Sequence, residues 1–161
     1  MEDNKICSCV VCERIALTKQ GRNPYFVREL ETGYVVIGDH QRFKGYTLFL
    51  CKKHATEIHF LDKEFRSKFL QEMSLVAEAT YNAFKPDKLN YELLGVGNGV
   101  HMHWHFFPRR DGDTPTPGPV WKLDKAEMNH NKYLPTEDER KELISKLNDE
   151  LSKLLYISLS G

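Results

Sequence analysis

The sequence has no excess of charge of either sign, since 23 Lys and Arg balance 23 Asp and Glu. No global field therefore favours nucleic acid or an anionic membrane surface. An anionic ligand has to be held by a local site. Long apolar runs are also missing, and no stretch approaches the roughly 18 consecutive apolar residues of a membrane span. The start, Met1-Glu2-Asp3-Asn4-Lys5, has no apolar segment behind it, so a secretory signal is not expected and the chain reads as cytosolic. Cysteine is scarce: Cys7, Cys9, Cys12 and Cys51 are all there is. In a reducing compartment this argues against a disulfide framework, and the N-terminal clustering argues for metal or redox chemistry. Repeats and low-complexity segments are absent. With 40% hydrophobic and 29% charged residues in a chain of 161, disorder is excluded and a single domain spanning 1–161 is expected.

What is present centres on His101-Met102-His103-Trp104-His105-Phe106-Phe107-Pro108-Arg109. Side chains alternate between faces in a strand. A strand here puts His101, His103 and His105 on one face and Met102, Trp104 and Phe106 on the other. A helix would scatter them. Upstream, 25–31 and 34–37 are β-rich and flank Thr32-Gly33, which signals a hairpin. Gly45 to Cys51 reads as a buried strand ending at Lys52-Lys53-His54, with Cys51 in the core. Asp62 is a candidate N-cap for a long amphipathic helix carrying Phe65, Phe69, Met73, Val76, Thr80 and Phe84, stopped by Pro86. Leu89 to Leu94 reads as a strand that pairs with the histidine strand across the turn Gly95-Val96-Gly97-Asn98-Gly99-Val100.

That turn lacks the strand–GxGxxG–helix context of a dinucleotide fingerprint, so a Rossmann reading is rejected. It can still cradle phosphate, because glycines let backbone approach a ligand closely. After Arg110 a Pro/Gly/Asp stretch runs to Pro135; 108–135 is read as an extended loop in which Trp121 could lie over the sheet. Thr136-x-x-Glu139 is a capping box opening a C-terminal helix over 136–156.

Cys9 and Cys12 form a CxxC pair, open to zinc, redox or unligated readings. Ligand counting favours a closed zinc set, because Cys9, Cys12, His54 and His101 complete Cys2His2 and leave His103 and His105 free. The triad itself has two readings: three metal ligands, or one nucleophilic imidazole. A neutral imidazole, with an unperturbed pKa of about 6.5, is a good nucleophile toward phosphorus once its second nitrogen is fixed. His105, Asn98 and the amides of the glycine turn could donate to phosphate oxygens.

The triad matches the pattern His-φ-His-φ-His-φ-φ, with φ apolar, and so resembles the histidine triad (HIT) family. The likeness runs from the Cys pair through Gly45–His54 and the long helix to Arg109. It implies an α+β fold: an antiparallel sheet of about five strands, a long central helix and a C-terminal helix, usually in a homodimer. It implies a nucleotide substrate attacked at its α-phosphate, with His103 as nucleophile and His105 on the phosphate. It places Cys9, Cys12, His54 and His101 on a structural zinc, and Asp39 near the residue that holds ribose hydroxyls; Asn98 and Gly99 fall in the phosphate turn. His105 stands where the uridylyltransferase branch has Gln, which favours hydrolysis of dinucleoside polyphosphates or nucleoside phosphoramidates. Gly97-Asn98-Gly99-Val100 lacks the Ser or Thr that many small members place before the triad, so the leaving-group acid has no assignment. Other expectations in play are a regulatory nucleotide-binding dimer without turnover, a nucleotidylyltransferase, and a metalloenzyme using all three histidines. His40, His59 and His130 read as ordinary surface or loop histidines; Arg109 and Arg110 could steer phosphate, but charged residues after a strand read first as solvated.

Overall fold

Strands that are apolar at every position, such as 34–37 and 48–51, have to be covered on both faces. The computed structural model, which describes residues 9–96 and 99–160, builds one sheet from β1 (Phe26–Glu29), β2 (Gly33–Ile37), β3 (Thr47–Cys51), β4 (Lys88–Glu92) and β5 (His103–Arg109). The strand order is β1-β2-β3-β5-β4 and every pairing is antiparallel. Four helices accompany it: α1 (Val10–Lys19), α2 (Lys63–Phe84), α3 (Lys125–Met128) and α4 (Glu137–Ser160). The fold is α+β with the expected five-stranded antiparallel sheet and long central helix. Among the described residues, no helix is long and apolar enough to cross a membrane.

The two faces of the sheet differ in use. Val35, Ile37, Phe49, Cys51 and Phe106 pack with Phe69 and Val76 of α2 and Leu147 of α4 in the main core. The alternate residues Tyr34, Val36 and Leu50 face the other way, under Ile15 and Val11 of α1. A third cluster of Phe43, Phe107 and Val120, joined by Tyr46 and Met128, covers another part of that second face. In register, His103 lies opposite Leu50 and His105 opposite Leu48. The two histidines therefore sit on the second face, between the α1 patch and the Phe43 patch.

Local signals set the helix ends. The Asp62 carboxylate accepts from Phe65 N at 2.9 Å, and α2 closes on Lys85 at φ 47° before Pro86. Thr136 and Glu139 exchange reciprocal bonds of 2.8 and 3.3 Å ahead of α4. Three details depart from the sequence reading. α1 was not foreseen: the CxxC pair is itself the first turn of a helix, with Cys9 as its N-cap. The strand starts at His103, so His101 precedes the ladder. The 108–135 stretch begins with the end of β5 and is then broken by single turns at Val120–Lys122 and Asn131–Tyr133 and by α3. Within it Val120 is buried, while Trp121 is 64% exposed and does not lie over the sheet.

Glu72 of α2 couples helix to sheet. Its buried carboxylate accepts from the amides of Glu31 (3.0 Å) and Thr32 (2.8 Å) and from the Thr32 hydroxyl in the β1–β2 turn. Removing a charged acceptor leaves buried donors desolvated and unmatched. Glu72→Ala is expected to cost about 2–4 kcal/mol, read as a lowered urea midpoint at unchanged slope.

Candidate active site and thiol–imidazole cluster

The triad begins with a residue outside the strand. His101 is 2% exposed. Its Nε2–H donates to the Cys51 carbonyl at 2.5 Å, so Nδ1 carries the lone pair. That Nδ1 lies 3.2 Å from Cys12 Sγ. His54 Nδ1 lies 3.4 Å from Cys12 Sγ and 4.0 Å from Cys9 Sγ. The four ligand atoms of Cys9, Cys12, His54 and His101 all fall within 4.8 Å of one another. Tetrahedral bonds of zinc to sulfur and nitrogen separate neighbouring S and N ligands by about 3.5 Å, and the observed spacings bracket that value. Two thiols and two imidazoles make a complete tetrahedral set with no position left for substrate. Burial is the main cause holding the His101 pKa below its ordinary value, which keeps the ring in the neutral form a metal needs. Cys7 lies outside the described residues.

The other two histidines have complementary protonation. His103 Nδ1–H donates to the His101 carbonyl at 2.8 Å, which leaves the lone pair on Nε2. His105 Nδ1 lies 2.6 Å from the Tyr46 hydroxyl. Desolvation, then Asp39 and Glu92, raise the Tyr46 pKa, so the phenol keeps its proton; donation of that proton to Nδ1 would set the His105 hydrogen on Nε2. Desolvation first, and His103 second, push the His105 pKa down to about 3. Desolvation likewise lowers that of His103. The ring centroids are 4.6 Å apart. One ring thus offers a nucleophilic nitrogen and its neighbour an N–H donor.

Tyr46 is fixed by packing. Its ring stacks on Phe107 at 4.3 Å and lies so close to Gly38 that a Cβ there would collide with it. The next residue, Asp39, meets Arg14 of α1 at 2.6 Å. Asp39, Arg14, Tyr46, Phe107, His40 and Met128 line one cavity beside the triad. Gly99 takes φ +89° in the turn that leads to Val100 and His101. Asn98 lies outside the described residues.

Arg109 and Arg110 are not simply solvated. Arg109 grips both Asp113 carboxylate oxygens at 2.8 Å and donates to Asn90 and the Gly118 carbonyl, which pins the loop after β5. Arg110 donates to the Phe84 and Lys44 carbonyls. His40 reaches the cavity rim, His59 packs on Phe60, and His130 caps the turn at Lys132. The sequence reading passed over Tyr46, Arg14 and Glu92. Glu92 lies directly opposite His105 in the β4–β5 register, on the histidine face. Counting strand positions back through the glycine turn would have placed it.

Comparison with known proteins agrees with this geometry. The HIT domain model matches residues 25–112. An uncharacterised HIT-like protein of Mycoplasma genitalium is 28% identical over 145 residues, covering 85% of this chain and 98% of that one. The histidine triad protein blr8122 of Bradyrhizobium japonicum superposes with a TM-score of 0.67 at 26% identity, over 78% of this chain and 89% of that one. A zinc-bound histidine triad family protein of Mycobacterium smegmatis, 21% identical with a TM-score of 0.62 over 93% and 97% of the two chains, shares the fold. With two of the triad imidazoles set side by side on this sheet and the family match spanning more than half of its length, the chain belongs to the HIT domain family.

Proposed function

We propose that the protein is a nucleotide hydrolase that cleaves at the α-phosphate of dinucleoside polyphosphates or nucleoside phosphoramidates. The arrangement that carries this reading is the pair of neighbouring rings 4.6 Å apart: the His101 carbonyl on His103 Nδ1 leaves a lone pair on Nε2, and a Tyr46 hydroxyl donating to His105 Nδ1 assigns the His105 hydrogen to Nε2. An α-phosphate over the pair presents phosphorus to His103 and a non-bridging oxygen to His105. His103 attacks, the bond to the leaving group breaks, and a nucleotidyl-His103 intermediate forms. Water then attacks phosphorus and the P–N bond returns its electrons to His103. The His101 carbonyl holds the His103 ring through Nδ1–H, and Tyr46 holds His105 in its donor tautomer. Gly99 would bring backbone to the phosphate and Asn98 would supply an amide, and Asp39, beside Arg14, faces the sugar. His105 in place of Gln leaves water as the acceptor.

Cys9, Cys12, His54 and His101 would hold a structural zinc, which would fasten α1 to the sheet at the start of the triad. β4 is an edge strand whose Tyr91 is 50% exposed, with Leu93, Leu94 and Val96 exposed after it. An unpaired apolar edge of this kind suits a homodimer.

His103→Ala is expected to lower kcat on diadenosine polyphosphates or adenosine phosphoramidates by at least about 10³-fold. An acid-labile nucleotidyl adduct should be trapped on the wild type and be absent from the variant; full activity in His103→Ala would place the nucleophile elsewhere. Elemental analysis is expected to find about one zinc per chain, lost in Cys9→Ser together with protection of α1 from protease. Zinc retained without both Cys9 and Cys12 would move the metal to the triad.

A further inference from the structure

We propose that Glu92 is the acid that protonates the leaving group, and that it suits the site to nucleoside phosphoramidates, whose leaving group is an amine. This inference rests on the hydrolase reading above and adds to it the residue and the substrate class.

The first observation is position. Glu92 is the residue of β4 paired with His105 of β5. Opposed residues of an antiparallel pair have Cβ atoms about 5 Å apart, and diagonal ones about 7–8 Å. Glu92 is thus beside His105 and diagonal to His103, one side-chain length from anything held over the two rings. The second observation is an unmet polar atom. Glu92 Oε2 is buried and finds no hydrogen-bond partner among the described residues. Such an atom is costly unless something else satisfies it. Arg109, the cation whose field reaches Glu92, is already engaged by both oxygens of Asp113. Burial outweighs that field and raises the Glu92 pKa, which favours the protonated carboxyl.

The third observation is that the other groups on this face are committed. His103 uses Nε2 for the bond to phosphorus and Nδ1–H for the His101 carbonyl. His105 is neutral and presents an amine-like N–H, too weak an acid to give up its proton. The Tyr46 phenol is held to His105, and Asp39 is held by Arg14. Glu29 shares this face but is paired with Lys52, which leaves Glu92, among the described residues, as the carboxyl directly beside His105.

The step balances. His103 Nε2 forms a bond to phosphorus while the P–N bond to the leaving group breaks. The released electron pair takes the Glu92 proton, giving a neutral amine, nucleotidyl-His103 and a Glu92 carboxylate. The carboxylate then takes a proton from water as its oxygen attacks phosphorus, and the P–Nε2 pair returns to His103. An amine or ammonium beside the new carboxylate is well accommodated. A departing polyphosphate needs no proton and would put anion against anion.

The test compares first-step rate constants in single turnover for two adenylates. One is an N-alkyl adenosine phosphoramidate, whose amine must be protonated. The other is the p-nitrophenyl ester of AMP, whose leaving group departs as an anion. Glu92→Gln is expected to lower the ratio of the amidate rate to the ester rate by about 10²-fold or more. Rate constants at saturating enzyme report the folded fraction alone, so an equal loss on both substrates, or no loss on either, overturns the assignment while leaving the hydrolase reading intact. Wild-type protein that turns over neither adenylate overturns both. A preference of the wild type for diadenosine tetraphosphate over the amidate overturns the substrate class.

Discussion

His101 joins the two halves of the site through three polar atoms. Its Nδ1 turns to the thiols, its Nε2–H is tied to the Cys51 carbonyl of β3, and its own carbonyl receives the proton of His103. Any shift of this residue would move the N-terminal cluster, the end of β3 and the tautomer of the neighbouring imidazole together. Its near-complete burial is what makes the arrangement rigid, because a desolvated imidazole has to keep both partners. The histidine that leads the triad therefore acts as a brace, and the two that follow it remain available to a ligand.

The sheet supplies the rest by parity. One register puts Phe106 into the main core and leaves His103, His105 and Phe107 on the opposite face. A slip by one residue would turn His103 and His105 into the main core and Phe106 out of it, so the hydrophobic core fixes which face carries the histidines. The flanking patches then frame a gap. α1 roofs β2 and β3 from one side, while Phe43, Val120 and Met128 close the other. Arg109 contributes by clamping the loop that carries Val120, a structural use of a charge that sequence alone reads as solvated.

Features governed by nearest neighbours were legible in the sequence. The caps at Asp62 and Thr136 depend on residues three positions away, and the triad alternation depends on two. The Cys9, Cys12, His54 and His101 grouping followed from ligand counting, and the structure brings those four atoms together. Features that join distant segments were not legible. Tyr46 meets His105 across 59 residues and Arg14 meets Asp39 across 25, and no periodicity encodes either contact. α1 escaped for a different reason. Among the described residues, only Val11 and Ile15 of this helix join the apolar cluster on the sheet, so its apolar stripe is too short to read. Glu92 lies between these cases, since its place opposite His105 follows from strand register but only once the turn length is known.

Cys12 and His101 are 89 residues apart along the chain. Closing a loop of that length in a disordered polymer costs about 4 kcal/mol of chain entropy. The cluster therefore cannot organise folding from the outset. Its two histidines become neighbours only when β3 and β5 have paired, and the cysteine arm closes onto a framework already in place. What the arm adds is a topological staple: it ties the turn that opens α1 to the residues that follow β3 and precede β5.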